Sequence, residues 1–273
     1  MTSEPLDTAA PSIGPALAWF DKARGVLEEI ERTQGAQLDA AAEISAAAIA
    51  GGGVVHTFGT GHSRIPVEEM FPRYGSYPGW HPIVELSMTF HTEIAGANGQ
   101  RQAMFIERVP GLAEVILRNF DLRPTDAILI FSATGRNAVP VETAMIAKDA
   151  GLKVIAVTSL SEARQVAPTH ASGTILADHA DVVLDICTPI GDAAVDIDGW
   201  ANKVGPVSSI GNIAIVNSLK VLTAQKLADR GVELPVLTGA QIVGAEKSHG
   251  LFEGAYLEHA RRKASVLRKP AAE

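Results

Sequence analysis

The chain has 273 residues, of which 47% are hydrophobic, with a formal net charge of -8 at pH 7 and a pI near 5.5. This acidic balance argues against a nucleic-acid partner, because no excess of cations is available to neutralise a phosphate backbone. The one cysteine, Cys187, excludes an internal disulfide framework and favours a reducing compartment. We see no secretory signal and no apolar run near the roughly 20 residues of a membrane span, so we expect a cytoplasmic protein without a membrane partner.

The first part of the chain is predicted to be helical. Residues 1–13 are polar and contain prolines, so we expect a loose tail there. From Ala16 to Ala50, apolar residues recur every three or four positions, which predicts a long helical segment that Gly35 interrupts. Such a segment is typical of packing against a partner or the domain face. We predict one domain over residues 14–267, with helices over 14–50, an α/β core with a last helix over 51–267, and a tail over 268–273.

A strand and a glycine-rich turn follow these helices. Val54–Phe58 is predicted to be a strand, and it is followed by the glycine-rich turn GTGHSR at positions 59–64. The turn is not the GxGxxG of a dinucleotide site with its later acidic residue, nor a Walker loop. One turn of this kind is weak support for a ligand site, since many turns between strand and helix are rich in glycine.

The region from Phe71 to Arg108 shows little regular pattern. It contains His81, Glu85, His91 and Glu93, which could suggest a metal site. Their spacing matches no compact zinc pattern such as HExxH, so we predict no metal and no other cofactor.

The stretch Ala127–Ser159 has the clearest pattern in the chain. It predicts a strand at 128–131, a helix from about 139 to 150 ended by Gly151, and a second buried strand at 154–157. Continuous apolar strands suit a parallel sheet that is covered on both faces. The turn between the first strand and the helix, SATGRN, combines hydroxyls, a glycine, a cation and an amide at a helix N-terminus. It is equipped to hold a tetrahedral oxyanion, although a well-capped turn without a ligand is the simpler alternative.

The remaining chain predicts one more strand and two helices. Asp178–Cys187 has an apolar centre typical of a strand, and Lys203–Ser209 opens a helix that runs to about Ala228. His249 is predicted to lie in a loop before a last helix, Phe252–Leu267. Because parallel strands bind ligands beyond their carboxyl ends, the two glycine-containing turns are expected to converge on one site.

These segments resemble a known family. HTFGTGHSR and FSATGRN, with VETAMIAKDAGLKVIAVTS, are similar to the sugar isomerase (SIS) domain, whose second turn typically reads Ser-x-Ser-Gly-x-Thr. ADVVLDIC, IGDAAVDI and KVGPVSSIGN resemble a poorly characterised single-domain bacterial branch that binds phosphosugars. The resemblance covers roughly residues 15 to 260. It implies a three-layer α/β/α sandwich around a five-stranded parallel sheet, flavodoxin-like or Rossmann-like, in a homodimer or a dimer of dimers with sites completed across the interface.

The resemblance also implies which residues bind the anionic sugar. Ser132, Thr134 and Asn137 take the places of the phosphate-holding residues, and Ser63 that of a serine in the first turn. Because Asn137 replaces a hydroxyl and Arg136 adds charge, the anion could be a phosphate or a sulfonate. The predicted site comprises the two turns and the start of the late helix: Gly61, His62, Ser63, Arg64, Ser132, Thr134, Gly135, Arg136, Asn137, Ser208 and Ser209.

The implied chemistry is aldose–ketose isomerisation without a metal. It requires a carboxylate or histidine that moves a proton next to a carbonyl, and a donor that stabilises the enediolate. Either Glu68 or Glu69 could be the base, but not both, because adjacent helical residues face about 100° apart. His249 could open the ring or return the proton. Lys203 takes the place of an acidic residue in some relatives, and it could stabilise the enediolate or pair with Asp196 or Asp198.

Each of these catalytic candidates also has a plain structural explanation, such as a surface helix or an exposed histidine. Two other functions stay open for the whole chain. One is a sugar-phosphate sensor without catalysis, and the other is a lyase or etherase that shares the proton abstraction. In every case the expected partner is a small anionic sugar.

Overall fold

The structure, a computed structural model, describes residues 13–89 and 99–267. Its strands are β1 Val55–Gly59, β2 Trp80–Ile83, β3 Ala127–Phe131, β4 Lys153–Thr158, β5 Val182–Asp185, β6 Ala193–Val195 and β7 Val204–Pro206. Its helices are α1 Gly14–Thr33, α2 Gly35–Ala50, α3 Ile65–Met70, α4 Gln100–Ile106, α5 Leu112–Leu117, α6 Ala138–Asp149, α7 Leu160–Ala163, α8 Ser208–Asp229, α9 Ala240–Val243 and α10 Ala245–Val266. Residues 1–12 of the tail predicted over 1–13, the predicted tail at 268–273, and His91 and Glu93 lie outside the described residues.

A parallel sheet with the strand order β2-β1-β3-β4-β5 forms the middle layer. Successive residues of β3 point to opposite faces. Leu129 and Phe131 pack into one apolar cluster, while Ile128 and Ile130 pack into another on the opposite face. Both faces are therefore buried under helices, which is why these strands read as continuous apolar runs. The predicted five-stranded parallel sheet in a three-layer α/β/α arrangement is confirmed.

The long helical segment before the sheet is present and is divided at Gln34, one residue before the predicted Gly35. The Gln34 side chain accepts a hydrogen bond from the backbone N–H of Asp185 at 2.9 Å. This contact anchors the junction of α1 and α2 to the end of β5.

Three element boundaries differ from their prediction. The helix predicted to open over Lys203–Ser209 begins only at Ser208, because Val204–Pro206 forms β7, which pairs with β6. The last helix, α10, begins at Ala245 rather than Phe252, so His249 lies within the helix and not in a loop. The predicted strand Asp178–Cys187 shortens to β5, because Leu176–His179 forms a 3-10 turn in which Asp178 accepts a bond from the backbone N–H of Ile175 at 2.8 Å.

Among residues 13–89 and 99–267, none of the helices combines the length and apolar character that a bilayer-crossing segment needs.

Candidate functional site

The carboxyl ends of β1 and β3 lie side by side, and one cavity opens there. The two strands are hydrogen-bonded neighbours, with Gly59 in register with Phe131. The turns that follow them therefore leave the sheet together, as the sequence predicts. The cavity has a volume of about 440 Å³. Its lining includes predicted residues from both turns and from α8, namely Gly61, His62, Ser63, Ser132, Thr134, Arg136, Asn137, Ser208 and Ser209.

A hydrogen bond from the end of β4 stabilises the β3–α6 turn. The Thr158 hydroxyl donates to the carbonyl of Ala133 at 3.0 Å, and Gly135 adopts a φ of +62° that glycine tolerates best. The backbone N–H of Gly135 donates to Ser132 Oγ at 3.2 Å, so this amide serves the turn itself. The turn holds Ser132 and Thr134 on the cavity wall, at the positive N-terminal end of α6.

The last residue of β1, just before the turn, must be glycine. A Cβ on Gly59 would lie 2.1 Å from the carbonyl oxygen of Ser63. Gly61–Arg64 forms a 3-10 turn in which the N–H of Ser63 donates to the carbonyl of Thr60 at 3.0 Å. This turn places His62 and Ser63 on the cavity wall. Arg64 is not part of that wall, and its guanidinium pairs with Glu68 at 2.5 Å.

Replacing Gly59 by alanine should displace this turn. We expect the free energy of unfolding to fall by about 2 kcal/mol, because the new methyl group overlaps backbone atoms that cannot move independently. Denaturant-induced unfolding measures the change. The matched control is Gly25→Ala, since a Cβ on that α1 glycine meets nothing within 4 Å. Equal stabilities for Gly59→Ala and the wild type would contradict the described turn.

Glu107 was not predicted, yet its carboxyl joins the two turns. Thr60 Oγ1 donates to Glu107 Oε2 and Asn137 Nδ2 donates to Glu107 Oε1, both at 2.7 Å. Burial raises the pKa of Glu107, and bonds from Thr60 and Asn137 together with the charge of Arg108 act in the opposite direction. The Asn137 amide, expected to contact the anion, donates to this carboxylate instead.

The N-terminus of α8 forms another wall of the cavity. The Asp192 carboxylate caps this helix N-terminus. The antiparallel pairing of β6 and β7 brings Asp192 next to Val207. Asp192 Oδ1 accepts the N–H groups of Val207 and Ser208 at 3.0 and 2.7 Å, and Oδ2 accepts the Ser208 hydroxyl at 2.7 Å. Because Asp192 already caps this helix, the N–H groups of Val207 and Ser208 and the Ser208 hydroxyl are engaged within the protein.

Two of the predicted catalytic residues lie on α3 and form ion pairs away from the cavity lining. Glu68 is exposed and pairs with Arg64. Glu69 contacts Arg73 at 2.5 Å and accepts from Asn217 Nδ2 at 3.1 Å. Its burial is outweighed by these bonds and by nearby cations, so its pKa is lowered.

The other two predicted catalytic residues are exposed. Lys203 forms a salt bridge with Asp196 at 3.2 Å, the structural alternative considered from the sequence. His249 lies on the exposed side of α10. Neither residue lines the cavity in this chain.

Residues missed by the sequence complete the cavity. Most of them come from α4 and the residues just after it, from the turn before β6, and from α8: Thr60, Gln100, Ala103, Met104, Glu107, Arg108, Ala133, Asp192, Pro206 and Asn212. Within the described residues, no group of three or more histidine, cysteine, aspartate or glutamate side chains is arranged to hold a metal ion.

Comparison with known proteins agrees with this architecture. The family model of the SIS domain matches residues 18–159. A UPF0309 protein of Streptomyces coelicolor is 34% identical over 235 residues, covering 85% of this chain and 91% of that protein. A UPF0309 protein of Thermoanaerobacter pseudethanolicus is 32% identical over 235 residues, covering 85% and 93%. The solved structure of a phosphoheptose isomerase from Neisseria gonorrhoeae has a similar fold, with a TM-score of 0.50 and 16% identity over 77% of this chain and 97% of that one.

Proposed function

The chain belongs to the SIS domain family, and we propose that it is an aldose–ketose isomerase of a small anionic sugar. One observation carries the proposal: hydroxyls from the turns after β1 and β3 share a cavity with a half-buried carboxyl, that of Glu107. The cavity volume of about 440 Å³ lies within the range of small-molecule sites.

The anionic end of the sugar is assigned to the β3–α6 turn. Ser132, Thr134 and Arg136 line the cavity next to the N-terminus of α6, and their side chains supply two hydroxyls and a cation. Hydroxyls, a cation and a helix N-terminus are the groups that favour a three-oxygen anion. A phosphate and a sulfonate share that face, so both belong to the proposed substrate class.

The rest of the sugar would extend between the turn after β1 and the N-terminus of α8, which enclose the cavity. Ser63 and Asn212 can hydrogen-bond sugar hydroxyls or the oxygens of an enediolate from these walls. Arg108, also on the wall, supplies a positive charge. Such groups stabilise negative charge that develops on oxygen when a proton leaves the neighbouring carbon.

Solvent deuterium exchange tests the proposal directly. The protein is incubated in D2O with a panel of hexose and heptose phosphates and their sulfonated analogues, and NMR follows deuterium at C2 of the aldose and C1 of the ketose. We expect exchange together with interconversion for at least one sugar. Binding without exchange across the panel would overturn the isomerase and favour a sensor. Loss of a C3 substituent would assign the chain to lyase or etherase chemistry.

A further inference from the structure

The Glu107 carboxyl lines the proposed sugar cavity and is hydrogen-bonded to residues of both turns, Thr60 and Asn137. We infer that Glu107 moves the proton between C2 and C1 of the sugar, an inference that rests on the proposed function. Its side chain lines the cavity that also contains the Ser132 and Thr134 hydroxyls. It belongs to the residues just after α4, a segment in which the sequence offers no catalytic motif.

The proposed step balances within the substrate and this one carboxyl. The Glu107 carboxylate takes the C2 proton, the C–H electron pair becomes the C1=C2 bond, and the carbonyl π pair moves to O1. In the second half, the proton on O2 is transferred to O1, which leaves the negative charge on O2. As the O2 electron pair forms C2=O, the C1=C2 pair takes the proton back from Glu107 at C1, which regenerates the carboxylate. No oxidant, reductant or further reactant is consumed.

Two hydrogen bonds position the Glu107 carboxyl and leave some of its acceptor sites free. Thr60 Oγ1 and Asn137 Nδ2 each donate to a different oxygen at 2.7 Å. A carboxylate offers about four acceptor sites, so each oxygen keeps a further lone pair. The backbone is fixed as well, because the N–H of Val139 donates to the carbonyl of Glu107 at 3.0 Å. The group is therefore held by both turns, and such prior positioning is what efficient proton transfer needs.

Two other carboxylates, Glu69 and Asp192, already form several hydrogen bonds or ion pairs. Glu69 pairs with Arg73 and Asn217, and Asp192 caps α8 with three donors. In the part of the chain that the structure describes, Glu107 forms no salt bridge with a lysine or arginine. Burial raises its pKa, which brings a carboxyl closer to the pH at which it can both take and return a proton.

The first test replaces the carboxylate by its isosteric amide. For a sugar that the wild type isomerises, Glu107→Gln should lower both C2 exchange and turnover by at least about 100-fold, because the amide cannot accept the proton. The thermal stabilisation given by the same sugar should change little, since the anion is held by the β3–α6 turn. Glu114→Gln is the matched control, an exposed glutamate on α5 that pairs with Arg118 and should retain wild-type rates.

A second variant separates proton transfer from a structural role. Thr60→Val removes a donor that lowers the pKa of Glu107, so the acid limb of the pH–rate profile should move to higher pH. A structural role alone would lower the rate at every pH without moving that limb. Exchange by Glu107→Gln at near the wild-type rate would overturn the inference and leave the proposed isomerase standing. No exchange by the wild type with any sugar of the panel would overturn both.

Discussion

Replacing Ser132 and Thr134 together by alanine should abolish the thermal stabilisation that an anionic sugar gives this protein. Both hydroxyls line the cavity beside the N-terminus of α6. A hydrogen bond to a charged group contributes about 1.5–3 kcal/mol, so losing two should weaken binding at least about 100-fold. A ligand that binds only the folded state stabilises it by RT ln(1 + [L]/Kd), so thermal-shift measurements with hexose 6-phosphates report the loss of affinity.

The matched control is Ser172→Ala with Thr174→Ala, a hydroxyl pair with the same spacing but away from the cavity. These two hydroxyls lie 2.6 Å apart and bond to each other. We expect this control to retain the sugar-induced shift. The double variant in the β3–α6 turn loses the contact from the Gly135 N–H to Ser132 Oγ, so its sugar-free melting temperature should fall only slightly. An undiminished shift in that variant would place the anion elsewhere.

The fold could be predicted because buried strands are visible in the sequence as continuous apolar runs. Ile128, Leu129 and Ile130 are all fully buried, because helices cover both faces of β3. Gly151 and Gly135 both adopt positive φ, one at the end of α6 and one in the turn before it, where the sequence favours glycine. These are local signals, since each depends on a residue and its near neighbours in the chain.

The convergence of the two turns could also be predicted, because the carboxyl ends of neighbouring parallel strands share an edge. Glu107 could not, since its partners Thr60 and Asn137 are 47 and 30 residues away in sequence. The same holds for Glu69, whose partner Asn217 lies 148 residues away on α8. The sequence alone therefore cannot show which groups contact Glu69, and its predicted role as a base stays a prediction. Side-chain pairing across elements, rather than element type, is what the sequence leaves undetermined.

Acid should destabilise the protein well above the pH at which its carboxylates titrate, because the buried His81 side chain resists protonation in the folded state. His81 Nδ1 lies 2.9 Å from His56 Nδ1, and both side chains are buried in the sheet. Burial lowers the pKa of His81 to about 3, and the positive charge of His56, His259 and Lys263 acts in the same direction while Asp126 opposes it. Folded His81 therefore stays neutral at a pH where the unfolded chain is protonated.

The direction in which stability changes with pH depends on whether the folded or the unfolded state binds more protons. The pKa of His81 is about 3 when folded and near 6.5 when unfolded, so the unfolded state binds more protons between these values. Stability is complete above pH 6.5 and falls as the pH decreases toward 3, by about 3 kcal/mol at pH 4 from this group alone. Glu107, whose pKa is raised, acts in the opposite direction, and His259, whose pKa is lowered, acts in the same direction.

Urea unfolding at several pH values measures this dependence, and His81→Asn tests its origin. The variant should be less stable than the wild type at pH 7.5, because His56 loses its ring partner, but its stability should fall less steeply between pH 6.5 and 4. His249→Asn, which changes an exposed histidine, should keep the wild-type slope. Parallel curves for His81→Asn and the wild type would show that the acid sensitivity comes from other groups.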